Sequence, residues 1–279
     1  MQARAFDGLA AEYDAAFTES AIGRALRALV WSRLEHVFSA PGRVLELGCG
    51  TGEDAVCLAR RGVNVVAVDA SSRMIRVAQQ KAREKGLLAD DGAGGGRAEF
   101  HCLPMESVGS VFAGQAFDGV LSNFGAVNCV ADLPTLIADV AARLRPGAGL
   151  VWVVMGRHVP WEWLWYLLHG NWTKAWRRLS RGGVSWRGLE IFYPTPHDLT
   201  ALLRPHFAIN RVAPLGVALP PSYAGAWLER RPRLLQVLTR LEHLAQRWSS
   251  LAACADHYIV EATRLPATQP ASATPGARR

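Results

Sequence analysis

Val44-Leu-Glu-Leu-Gly-Cys-Gly-Thr-Gly52 sets three glycines at alternate positions behind a short apolar run. Val44, Leu45 and Leu47 read as a buried strand, and Ala55, Val56, Leu58 and Ala59 open a helical pattern straight after the last glycine. Glycine has no Cβ, so a bend made from it turns sharply and lets a ligand come close to the backbone. In an open α/β sheet such a bend lies outside the carboxyl end of a strand, where nucleotide-like ligands sit.

The neighbouring residues narrow the choice of ligand. A dinucleotide fingerprint, G-x-G-x-x-G, needs glycine at position 53, where this chain has Glu53. Glu46, two residues before the first glycine, would repel a pyrophosphate but suits an ammonium group. A second apolar run, Val63 to Val68 with Asn64 inside it, ends at Asp69, 17 positions beyond Gly52. An acidic residue at that tip can accept hydrogen bonds from ribose hydroxyls, and the distance is close to the roughly 20 residues of a βαβ unit. Ordinary alternatives stand beside these readings. Glu46 could accept bonds from nearby backbone amides, and Asp69 could cap the helix that follows.

Together with Phe117-Asp-Gly-Val-Leu-Ser-Asn123 and Leu144-Arg-Pro-Gly-Ala-Gly-Leu150, these segments resemble class I S-adenosylmethionine-dependent methyltransferases from about residue 44 to 155. The core is similar to that of quinone-biosynthesis methyltransferases, which act on small molecules. The resemblance implies an α/β, Rossmann-like, seven-stranded and mostly parallel sheet, with S-adenosyl-L-methionine as cofactor. It puts the methionine part on Glu46 and the backbone of Gly48, Cys49, Gly50 and Gly52, and the ribose on Asp69. Ala70 and Met74 then flank the adenine or ribose. The family often meets the adenine amine with an acidic residue after the third strand. Here His101-Cys-Leu-Pro-Met-Glu106 puts Pro104 in that place, and the Met105 backbone amide is the substitute. Asn123 ends the fourth strand facing cofactor and acceptor, and Tyr13 belongs to leading helices that lie over the cofactor mouth in relatives.

Charge and tryptophan divide the chain unevenly. Residues 151–279 hold 16 Lys/Arg against 7 Asp/Glu, whereas residues 1–150 hold 15 against 17. Nine of the ten tryptophans lie at or after Trp152. The unusual chemistry therefore belongs to the second half. Five cysteines without C-x-x-C spacing argue against a disulfide framework or a zinc site. The absence of an apolar signal core or an 18-residue apolar run leads to the expectation of a cytoplasmic protein.

The expected organisation is N-terminal lid helices over 1–40, a cofactor core over 41–156, a Trp/Arg-rich cap insertion over 157–195, the end of the core over 196–265 with a second helical insertion at 214–255, and a disordered tail over 266–279. Both insertions leave the carboxyl ends of their strands, so both are expected to roof an acceptor pocket. In Pro160-Trp-Glu-Trp-Leu-Trp-Tyr-Leu-Leu-His-Gly170, residues 163–168 are apolar all round, which predicts a buried helix. Trp172, Trp176 and Leu179 then form the apolar side of a basic helix that carries Lys174, Arg177, Arg178 and Arg181.

Three readings of this cap remain open: aromatic walls of an apolar pocket, a helix resting on a membrane surface, or plain packing. The acceptor is expected to be hydrophobic or aromatic, touched by Trp161, Trp165, His169, Tyr193 and Tyr223. His158, three residues past the fifth strand, is the first choice for a proton acceptor, ahead of Glu162, His169, Tyr193, His197 and Tyr223. No metal is expected. Two other functions stay in view. One is an RNA methyltransferase, disfavoured because no added RNA-binding module is visible; the other is a non-catalytic scaffold that keeps the cofactor fold.

Overall fold

The computed structural model describes residues 6–8, 10, 13–89, 95–180, 182–221 and 225–266. The tail expected over 266–279 therefore falls outside the described residues except for Pro266, as does Tyr223. Seven strands form the main sheet: β1 (Arg43–Leu47), β2 (Asn64–Asp69), β3 (Ala98–Cys102), β4 (Phe117–Ser122), β5 (Leu144–Met155), β8 (Phe207–Leu215) and β9 (His257–Arg264). Two short strands, β6 (Val184–Trp186) and β7 (Leu189–Ile191), pair as a separate hairpin.

The sheet order is β3-β2-β1-β4-β5-β9-β8. Strands β1 to β5 run parallel, and β9 lies antiparallel between β5 and β8, so β8 shares the direction of the first five. Burial on both faces explains the near-continuous apolar runs of β1, β2 and β5. One core layer packs Leu26, Val30 and Leu34 of the Ala21–Val37 helix and Val56 and Leu58 of the Glu53–Ala59 helix on the sheet. The other packs Leu136, Ile137 and Val140 of the Leu133–Arg143 helix on Leu45, Val120 and Trp152.

Local signals set the helix starts. Ser71 accepts the Met74 amide at 3.2 Å and Asp132 the Thr135 amide at 3.1 Å. Thr195 and Asp198 form a reciprocal capping box at the start of the Pro196–Leu203 helix. Strand β5 begins earlier than the apolar run suggests, because Leu144 pairs with Phe117 ahead of a register shift. Within the second insertion the helix that starts at Pro232 stops at Ala245. There Gln246 is drawn aside to bond the carbonyl of Pro214, while its own carbonyl accepts from Arg211 at 2.6 Å.

The two insertions differ in what they cover. The first carries the Pro160–Leu168 and Trp172–Trp176 helices and the β6–β7 hairpin. It closes over the carboxyl edge of the sheet. The second packs on the N-terminal helix instead: the Ala21 amide donates to Glu229 at 3.1 Å, and Arg33 donates to Gln246 at 3.3 Å. Buried Glu242 holds its turn by accepting the amides of Gly216, Ala218 and Leu219 at 2.8, 2.8 and 3.0 Å. The expectation that both insertions roof one pocket is thus corrected: the described part of the second braces the N-terminal helix.

Candidate cofactor and acceptor site

Three backbone facts shape the glycine bend. The amides of Gly48 and Cys49 both donate to the Val68 carbonyl at 2.8 and 2.9 Å, which locks the bend to the end of β2. Gly48, Gly50 and Gly52 all have positive φ, of 69°, 52° and 77°. A Cβ on Gly52 would lie 2.7 Å from that of Ala78, so only glycine lets the two helices pack there. A Cβ on Gly50 would meet nothing within 4 Å, because this residue borders open space.

That space is a cavity of about 550 Å³. Its wall includes Tyr13, Gly48, Gly50, Asp69, Ala70, Met74, Met105 and Asn123 of the expected cofactor residues. Glu46, Cys49 and Gly52 stand behind that wall. The Asp69 carboxylate accepts the Gly50 amide at 2.9 Å and the Ser71 amide at 2.8 Å, one on each oxygen. Each oxygen keeps a lone pair for a ligand hydroxyl. Burial raises the Asp69 pKa, and these two amides oppose the rise.

Glu46 is almost fully buried, and its Oε2 has no hydrogen-bond partner among the described residues. Burial, and then nearby Asp54, push its carboxyl well above the usual range. An unsatisfied buried carboxyl is costly and calls for a donor; a ligand ammonium would supply one and favour the ionised form. An orphaned acid, an open backbone bend and a carboxylate with spare lone pairs fit the amino-acid end and the ribose of S-adenosylmethionine.

Asn123 turns its side chain two ways. Its Nδ2 donates to Asp54 at 2.9 Å, and its Oδ1 accepts the Phe124 amide at 2.9 Å. Phe124 sits in the wall at φ 45°, a strained state for a bulky residue. It is held by the Phe17 ring at 4.8 Å, the Arg27 guanidinium at 4.9 Å and the His257 ring at 5.8 Å.

The N-terminal segment is fastened to the core by residues that the sequence did not single out. Asp14 accepts from Thr51 of the glycine bend at 2.7 Å and from Lys81 at 2.8 Å. Asp7 accepts from Ser71 at 2.6 Å, and the Phe6 ring lies 6.0 Å from Trp186 of the hairpin. Both aspartates bond residues far along the chain, so no local pattern marks them.

The acceptor side differs from expectation. Tyr193 lines the cavity, but His158, Trp161, Trp165 and His169 are not in its wall. Trp161 donates to the Val217 carbonyl at 2.8 Å, where it ties the two insertions together. Trp165 stacks on His169 at 4.5 Å, and His158 packs edge-on to Trp163 at 6.3 Å. Glu162 is buried in ion pairs with Arg177 and Arg178, at 2.9 and 2.5 Å, and His197 is exposed. The segment expected to be buried leaves Leu164 and Leu168 exposed, the latter at 76%.

The basic helix is also turned the other way round. Trp172, Trp176 and Leu179 face solvent, whereas Lys174, Arg177 and Arg178 border the cavity. The cause is Arg178, only 7% exposed, which pairs with Glu162 and Asp256 and donates to the carbonyls of Gly156 and Asp256. Burial alone would raise the Asp256 pKa, but His257 and Arg178 hold its carboxyl well below the usual range. Burial lifts the Tyr193 hydroxyl pKa, against the neighbouring Arg178 charge. Among the described residues no cluster of three or more His, Cys, Asp or Glu side chains is arranged to hold a metal, and no helix is long and apolar enough to cross a membrane.

Residues 44–147 match the family described as a methyltransferase domain. The chain is 30% identical over 145 residues to a ubiquinone biosynthesis O-methyltransferase of Parvibaculum lavamentivorans, covering 52% of this chain and 51% of that protein. Over 162 residues it is 28% identical to the tRNA 5-carboxymethoxyuridine methyltransferase of Escherichia coli, covering 57% and 59% of the two chains. The matches therefore span little more than half the length of these relatives. In structure it resembles a putative S-adenosylmethionine-dependent methyltransferase from Listeria monocytogenes, with a TM-score of 0.58, 17% identity, and 88% and 99% of the two chains covered. Residues 44–147 thus form a methyltransferase domain, and the sheet has the fold of class I S-adenosylmethionine-dependent methyltransferases. S-adenosyl-L-methionine is the cofactor of the class.

Proposed function

We propose that this chain transfers a methyl group from S-adenosylmethionine to a small-molecule acceptor with an apolar body. The observation that carries this reading is the continuity of the cavity. One end is the glycine bend and Asp69, and the other is the β6–β7 hairpin with Val184, Trp186, Leu189 and Ile191. Bound there, the cofactor supplies a methyl already activated by its sulfonium. The protein's share is alignment and the exclusion of water. Gly48, Gly50 and Glu46 would hold the amino-acid end and Asp69 the sugar. Tyr13 and Phe6 close the mouth, and Phe124 and Tyr193 border the space between the two ends.

The wall holds no histidine among the described residues, so an acceptor that ionises readily suits this site better than an aliphatic alcohol. The relative that acts on tRNA brings RNA into view. Single-stranded binding needs a basic groove open to solvent, whereas here Arg178 is buried in ion pairs and Lys174 and Arg177 border a cavity walled by apolar side chains. Calorimetry with S-adenosylmethionine followed by turnover on phenolic and carboxylic acceptors tests the proposal. Tight cofactor binding and transfer to a small molecule are expected. Binding with no transfer to any small molecule would favour the scaffold, and transfer only to RNA would favour the tRNA-type reading.

Asp69→Ala is expected to weaken cofactor binding by about 1–3 kcal/mol, through lost bonds to a charged acceptor. An unchanged dissociation constant by calorimetry would put the ribose elsewhere.

The exposed Leu168, Trp172 and Trp176 support a second property of the same enzyme, peripheral contact with a membrane that delivers an apolar acceptor. Wild-type protein is expected to co-sediment with anionic vesicles, and the Trp172→Ala/Trp176→Ala variant to stay in the supernatant. Equal partitioning of the two would remove this contact.

A further inference from the structure

Charge is separated along the cavity. Among the described residues the wall's two carboxylates, Asp69 and Glu106, lie on the cofactor side, with the buried acid of Glu46 behind them. Its three cations among the described residues, Lys174, Arg177 and Arg178, all belong to the cap. S-adenosylmethionine carries a sulfonium and an ammonium against one carboxylate, so the acidic end attracts it and the basic end does not. The cap end needs a different occupant.

The cap's own acids do not neutralise it. Glu162 and Asp256 are the carboxylates paired with this cluster, and their ion pairs reach only Arg177 and Arg178 of its cations. Arg178 is consumed by both acids and by two backbone carbonyls. Arg177 engages Glu162 only through Nε, at 2.9 Å, so its terminal guanidinium nitrogens make no hydrogen bond to the described residues. Lys174 has no carboxylate partner among the described residues. The Lys174 ammonium and the Arg177 guanidinium lie 5.7 and 5.6 Å from the centroid of one ring, that of Tyr166. Both cations thus lie near the Tyr166 ring and both line the cavity, and an anion held there would be attracted by the two charges together.

We propose that the acceptor carries an anionic group, a carboxylate or a phosphate, bound by Lys174 and Arg177 at the cap end of the cavity, while its apolar body lies along Val184, Trp186 and Ile191. This rests on the reading of the cavity as a methyl-transfer site and names the acceptor class that site takes. Arg177 offers a planar fork that suits either oxyanion, and Lys174 adds a mobile point charge. The anion anchors one end of the acceptor and leaves the other directed toward the cofactor.

The test uses the full chain saturated with S-adenosylhomocysteine and three matched probes: phenylbutyrate, phenylbutyl phosphate and phenylbutanol. Calorimetry is expected to show at least one anion binding about tenfold or more tighter than the alcohol. That preference is lost in Lys174→Glu, retained in Lys174→Arg and weakened by added salt. The tighter anion identifies the group as carboxylate or phosphate. The inference is overturned if the alcohol binds as tightly as both anions, if the preference survives Lys174→Glu, or if neither anion binds. Wild-type protein that takes up no S-adenosylhomocysteine would fail the methyl-transfer reading and this inference with it. Uptake without a charge preference would fail this inference alone.

Discussion

Gly50→Val is expected to give a folded protein that no longer binds S-adenosylmethionine. Gly50 sits at φ 52°, a region that costs a β-branched residue about 1–3 kcal/mol. That strain is local, because an added Cβ would touch nothing within 4 Å. The new side chain instead enters the cavity at the place assigned to the amino-acid end of the cofactor, and it strains the amide that holds Asp69. Affinity should fall by about a hundredfold or more, ~2.8 kcal/mol, with only a modest drop in melting temperature. Retained affinity by calorimetry would show that the bend is not the cradle. Gly52→Val makes a contrasting control: its clash with Ala78 should harm folding itself.

Asp54→Ala is expected to damage stability severely. Asp54 is buried at the start of the Glu53–Ala59 helix. It accepts from Arg27 at 2.8 Å on both oxygens, from Trp31 at 2.6 Å and from Asn123 at 2.9 Å. It thereby joins the N-terminal helix, the glycine bend and the end of β4. Its removal leaves the Arg27 guanidinium buried without its partner, a loss of about 3–5 kcal/mol. In a domain of this size that is a fall in melting temperature on the order of 10 °C. Glu46, freed of its acidic neighbour, ionises more readily and offsets part of the loss, which favours the lower end of that range. Denaturant unfolding that shows a loss under about 1 kcal/mol would mean that the cluster does not fasten the N-terminal helix.

Much of the cofactor end was legible because its constraints are local. An apolar run, glycines at alternate positions and an acid closing the next run have few three-dimensional solutions, and β1, its bend and β2 lie where the spacing puts them. Asn123 was legible in place but not in role, since its amide is committed to an aspartate 69 positions away. The cap was misjudged for a definite reason. Amphipathicity tells that Trp172 and Trp176 share a side opposite Arg178, but not which side turns inward. Hydrophobic burial alone would bury the tryptophans. The paired acids Glu162 and Asp256 bury Arg178 instead, and one of them comes from the far end of the chain. Phe124 escaped notice because its wall position depends on a positive φ that no residue type announces.

The central claim is that the Gly48–Gly52 bend, with Glu46 behind it, grips the amino-acid end of S-adenosylmethionine while Asp69 holds its sugar. A crystal structure of the full chain with S-adenosylhomocysteine measures this most directly. The account predicts the ammonium within hydrogen-bond reach of the bend and Glu46, and both ribose hydroxyls on the Asp69 carboxylate. Density for the nucleoside elsewhere in the molecule, or an empty bend at saturating ligand, would contradict it.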